Sequence, residues 1–260
     1  MSALALVGTR RATRVVERNA RVSVRLWPAF ISGFFEPAFY LFSIGVGVGA
    51  LVGQVQGPGG PVAYDQYVAP AMMAVAAMNG CIFDTTFNFF GKIKYAHTYD
   101  GMLATPLGVP DVVRGELTWA LLRGLLQAVV FFLTMWAMGL VPSVWGILSI
   151  PGAALIGFAF AGAGLGLTTF MRSFFDFDYV ELAIVPLFLF SATFFPLSEY
   201  PDGLAWVVRF SPLYQGVAIE RALVLGEPSW TLVLHAAYLA AMGWIGLRVA
   251  GNRLGRMLQP

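Results

Sequence analysis

The sequence predicts an all-α integral membrane protein: six transmembrane helices, an N-terminal interfacial amphipathic helix, and short external re-entrant helices between spans five and six. Three observations predict it. Of 260 residues, 58% are hydrophobic and only 12% charged, too few charges to cover the surface of a water-soluble chain this long. Apolar runs of bilayer length recur along the chain, each near the roughly 20 residues a helix needs to span hydrocarbon. Lys and Arg fall almost wholly between those runs, and on alternate connections. A single transmembrane domain over 1–260 accounts for the chain, with an interfacial helix in 1–28, the spans in 29–250 and a tail at 251–260.

Span one reads from about Ala29 to Gly53, interrupted by Glu36-Pro37. Span two, about Tyr67 to Phe90, carries Asn79, Asp84 and Asn88. Span three lies between Leu117 and Val141 with Arg123 near its start, and span four covers about Ile147 to Phe170 without charge. Span five begins near Tyr179, carries Glu181 and ends around Phe195-Pro196, and span six runs from about Trp230 to Val249. Arg10, Arg11, Arg14, Arg18, Arg21 and Arg25 precede span one, whereas the connection from Gln54 to Gln66 has no Lys or Arg. Lys92, Lys94 and Arg114 follow span two, Arg172 follows span four, and Arg248, Arg253 and Arg256 close the chain. Only Arg209 and Arg221 fall on the other side. The bias predicts both termini in the cytoplasm, which an even number of spans satisfies. No short apolar core with a small-residue cleavage site follows the basic segment, so the first span is expected to remain in the mature protein.

The connections carry the remaining pattern. Arg11, Arg14, Arg18, Arg21 and Arg25 step by three and four residues, placing them on one helical face beside Val15, Val22 and Leu26. Such a helix lies at the membrane interface, or serves only as a positive-inside signal. Between spans two and three, Thr98–Leu103 predicts a short helix stopped by Pro106, with Tyr99, Met102 and Leu103 as an apolar tip. A partner groove or the protein's own helix ends would cover that tip. Gly203–Phe210 and Leu213–Leu225 are apolar, but Pro201, Arg209, Pro212, Glu220 and Arg221 interrupt them. They read as two short helices dipping into the outer leaflet, with an exposed amphipathic loop as the alternative. Gly45, Gly49 and Gly53, and then Gly162 and Gly166, recur every fourth residue, a spacing that lets helix backbones approach, within one chain or across a dimer.

The chain shows no soluble chemistry: no Gly-rich phosphate loop, no His/Cys/carboxylate ligand spacing and no Ser-His-Asp arrangement. The lone Cys81 lies inside an apolar run and builds no disulfide framework. Nucleic acid has no support, because the membrane accounts for the N-terminal arginines. Glu36, Asn79, Asp84, Asn88, Arg123 and Glu181 are the intramembrane polar residues, and the charged ones must face protein, water or each other. They leave open a structural cluster, an ion-coupled secondary transporter, and a membrane-embedded enzyme or scaffold.

Four blocks resemble a known family. They are Glu36-Pro37-Ala38-Phe39-Tyr40-Leu41-Phe42 with Gly45, Gly47 and Gly49; Tyr67-Val68-Ala69-Pro70-Ala71-Met72; Tyr99-Asp100-Gly101-Met102-Leu103-Ala104-Thr105-Pro106-Leu107 followed by Gly115-Glu116; and Phe210-Ser211-Pro212-Leu213-Tyr214. In this order the chain resembles the permease subunit of ABC-2 type exporters, especially the branch of lipo-oligosaccharide (nodulation factor) and daunorubicin-type drug exporters. The resemblance implies a non-enzymatic permease in the bacterial plasma membrane. It also implies a coupling helix at about Thr98–Ala104, with Tyr99, Asp100, Met102, Leu103, Thr105 and Pro106 meeting a separate ATP-binding-cassette ATPase. ATP and Mg would be bound on that partner and no cofactor on this chain. Two permease copies or related permeases would work with two ATPases, in contact with membrane lipid, on an amphipathic substrate that the sequence does not identify.

Overall fold

The computed structural model describes residues 10–25, 39 and 41–258, and within them the chain is mostly helical. Helix α1, Arg10–Arg25, lies ahead of the bundle. Span one is described at residue 39 and from residue 41, and a π-helical turn, Ile44–Val48, passes into the short α2, Gly49–Val52. Glu36-Pro37 therefore lies outside the described residues. The connection without Lys or Arg holds a β-hairpin, β1 Gln54–Gly57 against β2 Gly60–Ala63, antiparallel with Val55 opposite Val62. Pro58-Gly59 makes its turn, chemistry that suits a tight reversal. This small sheet is a departure from the all-α expectation.

Four helices among the described residues are long and apolar enough to cross a membrane: Tyr64–Lys94, Val109–Ala137, Val144–Thr168 and Thr231–Met257. The first joins α3, Tyr64–Phe83, through a π turn at Asp84–Asn88 to α4, Phe89–Lys94. The wide turn loosens the backbone ladder, and two hydroxyls take up the carbonyls. Thr85 donates to Cys81 O at 2.7 Å and Thr86 to Ile82 O at 2.6 Å. After the short α5, Thr98–Leu103, comes α6, Val109–Ala137. It starts earlier than the predicted span three because Pro110 sits in its first turn and Asp111 accepts the Gly108 N–H at 3.1 Å. Its outer stripe, Leu122, Leu126, Val130, Leu133 and Trp136, is exposed and apolar, as a lipid-facing surface should be.

Helix α7, Ser149–Thr168, is the hub, and its glycines admit neighbours on several sides. A Cβ at Gly162 would stand 2.3 Å from the Gly243 carbonyl oxygen, and one at Gly157 would stand 2.9 Å from Cys81 Sγ. The Gly162/Gly166 spacing thus serves packing within the chain, against α11, Thr231–Leu258. Gly45 and Gly49 make no comparable approach. Helix α8, Phe177–Leu189, occupies the predicted fifth span, but its 13 residues reach only about 20 Å at 1.5 Å per residue. The irregular segment 190–196 continues it. Helices α9, Asp202–Phe210, and α10, Pro212–Leu225, stand where the two re-entrant helices were expected. Gly226, at φ 82°, ends α10 in the left-handed conformation that a side chain would strain.

The core divides along the spans. Tyr67, Met72, Met78, Phe131, Ile156 and Leu213 belong to a cluster shared with α10, at the end where the hairpin lies. Phe89, Tyr99, Val112, Leu117, Leu165 and Leu254 form a second cluster at the basic end.

Candidate functional site

The basic end is built around Glu116, which the sequence marked only through the Gly115-Glu116 block and gave no role. It sits in the first turns of α6 between Val112, Val113 and Leu117, only 3% exposed. Its Oε2 accepts Lys92 Nζ at 2.6 Å and Asn19 Nδ2 at 3.1 Å. One carboxylate therefore ties α1, the end of the Tyr64–Lys94 helix and α6 together. A buried carboxylate requires such partners, and Lys92 supplies the opposite charge. An acidic residue inside an apolar helix start was the available signal.

Helix α1 docks on this junction by its Ala12, Val15 and Asn19 face, all buried. Gly115 makes room: a Cβ there would stand 2.5 Å from Val15 Cβ. Arg11, Arg14 and Arg21 remain exposed, and Arg14 pairs with Glu17 at 3.0 Å. Arg18 is turned toward the start of α5 and donates to Thr98 Oγ1 at 3.4 Å. The five arginines are therefore not one uniformly solvated face. Of Arg25 only the backbone is described, and Leu26 lies outside the described residues.

Of the two covers left open for the apolar tip of α5, the protein's own helix ends take Tyr99. Tyr99 is not exposed: it is 1% accessible, with its ring 5.4 Å from Phe89. Burial, with the neighbouring Glu116 charge adding to it, holds its phenol well above the usual range, so it stays neutral. Its hydroxyl lies beside the Glu116 carboxylate without a hydrogen bond of good geometry. Met102 and Leu103 are half-buried against the same cluster. The outward surface consists of Asp100, Gly101, Ala104, Thr105 and Pro106. His97 sits at φ 44°, a strained entry to the helix, and its Nδ1 lies 3.0 Å from Asp100 Oδ2.

Deeper in the bundle, Asp84 of the π turn and Arg123 of α6 meet at 2.6 Å. Asn88 donates its amide to the same Asp84 oxygen. Asn79 is half-buried and makes no side-chain hydrogen bond among the described residues, so of the six intramembrane polar residues the structure joins Asp84, Asn88 and Arg123. Arg123 is thus held by an ion pair, one of the surroundings such a charge requires. Glu181 is apart from them, exposed on α8.

Next to this pair opens a cavity of about 610 Å³ between α3, α7, α8 and α11. Its walls are apolar, among them Ile82, Phe160, Leu167 and Ile184, and Arg172, Asp176 and Tyr179 line its polar part. Asp176 accepts the backbone N–H groups of Arg172 at 2.6 Å and Ser173 at 3.2 Å, which hold its carboxyl below the usual carboxylate range. Beside it stand Phe87, Phe90, Tyr95, Phe174 and Phe177, with Phe90 and Phe177 rings 5.3 Å apart. The shape and lining suit an apolar chain joined to a polar head.

The chain is similar to known proteins along most of its length. The family model described as ABC-2 type transporter matches residues 12–225. Among curated relatives, Nodulation protein J of Rhizobium leguminosarum bv. trifolii is 32% identical over 205 residues, 78% of this chain and 77% of its own. Nodulation protein J of Rhizobium meliloti (strain 1021) is 28% identical over 233 residues, 89% and 87% of the two chains. That of Azorhizobium caulinodans is 26% identical over 247 residues, 92% and 95%.

Proposed function

The chain belongs to the ABC-2 type transporter family, and we propose that it is the membrane-spanning permease of an ATP-driven exporter whose ATPase is a separate subunit. It is a multi-pass membrane protein. In the proposal it crosses the bacterial plasma membrane six times, with both termini and the Glu116 junction in the cytoplasm. The 610 Å³ cavity then lies toward the inner leaflet, open to an amphipathic cargo such as a drug, a lipid-linked glycan or a lipo-oligosaccharide.

The observation that carries the proposal is the seating of α5. A six-residue helix held from below by the buried Tyr99, with Asp100, Gly101, Thr105 and Pro106 outward, is a rigid lever end. A push on that surface passes through Tyr99 and Glu116 to three helices at once. Export then follows from closure of two ATPases against two such helices, tilting a pair of permeases. Glu181 on the poorly covered α8 supports the pairing, because a carboxylate facing lipid is costly and an aqueous path between two copies relieves it. The ion-coupled alternative would use Asp84, a carboxylate that already pairs with Arg123.

Gly101→Trp tests the lever surface. A Cβ at Gly101 meets nothing within 4 Å, so the indole has room in the folded permease and obstructs only a docked partner. The expected result is that a phosphate-loop ATPase, identified by mass spectrometry, co-purifies with the wild type and is lost with the variant at equal membrane levels. Undiminished co-purification, or none with the wild type, would overturn the proposal.

A further inference from the structure

At the end of the bundle opposite the coupling helix lies a second cavity, of about 370 Å³. Gln56 from β1, Tyr67 from α3, Tyr214 and Arg221 from α10, and His235 from α11 line it. Arg221 is only 6% exposed. Its Nε donates to the Tyr67 carbonyl at 3.2 Å and Nη2 to the Ala192 carbonyl at 2.9 Å, and the guanidinium lies 3.7 Å from the Tyr67 ring centre. These contacts fix its orientation and occupy only part of its donor set, and the residue still lines the cavity.

No carboxylate pairs with this buried cation among the described residues. Its neighbour Glu220 is directed elsewhere, an oxygen standing 2.7 Å from where a Cβ on Gly152 of α7 would be. Glu227, the other nearby acid, lies at the cavity's exposed side beneath Gly59 of the hairpin turn. A cation taken from water without a counter-charge is unfavourable, and a planar guanidinium with free donors matches an oxyanion. His235 adds a ring whose Nδ1 is already engaged by Gln215, and Tyr214 adds a hydroxyl.

We propose that this cavity binds a compact oxyanion group, phosphate, sulfate or carboxylate, against the Arg221 guanidinium, with Tyr214 and His235 beside it. The group arrives either as a free anion or on a lipid headgroup. Inorganic phosphate would be titrated into purified permease in nanodiscs of neutral phosphatidylcholine, and phosphatidylglycerol nanodiscs would be compared without phosphate. Thermal stability is read in both.

A saturable stabilisation by phosphate in neutral lipid identifies a free-anion site, and stabilisation by phosphatidylglycerol alone identifies a headgroup site. In either case Arg221→Gln should weaken binding about tenfold or more, as loss of a charge-assisted contact does. Because Arg221→Gln removes contacts that support the fold, Glu227→Gln is the companion variant. It touches an exposed side chain, removes a competing negative charge, and should tighten binding several-fold. No saturable effect in either lipid, or an effect unmoved by both substitutions, would overturn the site. The test needs no ATPase, so its failure leaves the transport proposal untouched.

Discussion

Gly162→Ala probes the most intimate contact in the bundle. The added methyl would stand 2.3 Å from the Gly243 carbonyl oxygen and 2.8 Å from its Cα. Nonbonded carbon pairs settle near 3.5–4.0 Å, so α7 and α11 must move apart by about 1 Å at the crossing. Separation of that size forfeits about a quarter to a half of each contact's dispersion energy along the crossing. Overpacking of this kind typically costs about 1–3 kcal/mol. The assay is heat denaturation of the purified permease in mild detergent, followed by fluorescence, with an expected fall of about 2–10 °C in Tm. Gly251→Ala is the control on the same helix, because its Cβ meets nothing within 4 Å. It should be neutral or stabilising by about 0.5–1 kcal/mol through helix propensity. If Gly162→Ala were as stable as Gly251→Ala, the close crossing would be wrong.

Two further outcomes follow from buried groups. Tyr99→Phe should retain both stability and ATPase association, since the lost hydroxyl makes no hydrogen bond of good geometry with Glu116 beside it, whereas Tyr99→Ala leaves a cavity worth about 3–5 kcal/mol and should uncouple α5. Co-purified ATPase separates the two, and equal loss in both would show that the hydroxyl matters. Asp84→Asn should destabilise the permease by about 3 kcal/mol or more by stripping Arg123 of its counter-charge, and Asp84→Leu with Arg123→Met should recover most of it. Asp84→Asn abolishing transport at unchanged stability would instead support ion coupling.

Much of the fold was legible because membrane helices advertise themselves by length and charge. The stop at Pro106 and the interruptions at Pro201 and Pro212 also located α5, α9 and α10. What escaped depended on partners distant in sequence. Asp84 and Arg123 are 39 residues apart, and Asn19 and Glu116 are 97 apart. No periodicity reveals such pairs. What covers Tyr99 stayed open because a loop residue's burial depends on which helix ends stand behind it. Glu220 and Arg221 looked like mere interruptions, yet adjacent residues on a helix point about 100° apart and serve different neighbours.

The π turn at Asp84–Asn88 has a consequence for how the second span reports between its ends. One extra residue in a turn advances the angular phase of everything after it by about 100° relative to an unbroken α-helix. The half carrying Tyr67 and Met72 is therefore indexed differently from the half carrying Phe89 and Lys92. Restoring a uniform helix would rotate Lys92 off Glu116 while leaving Tyr67 beneath Arg221. The span thus works as two offset segments with a slip point between them, so twist at one end can be absorbed before it reaches the other.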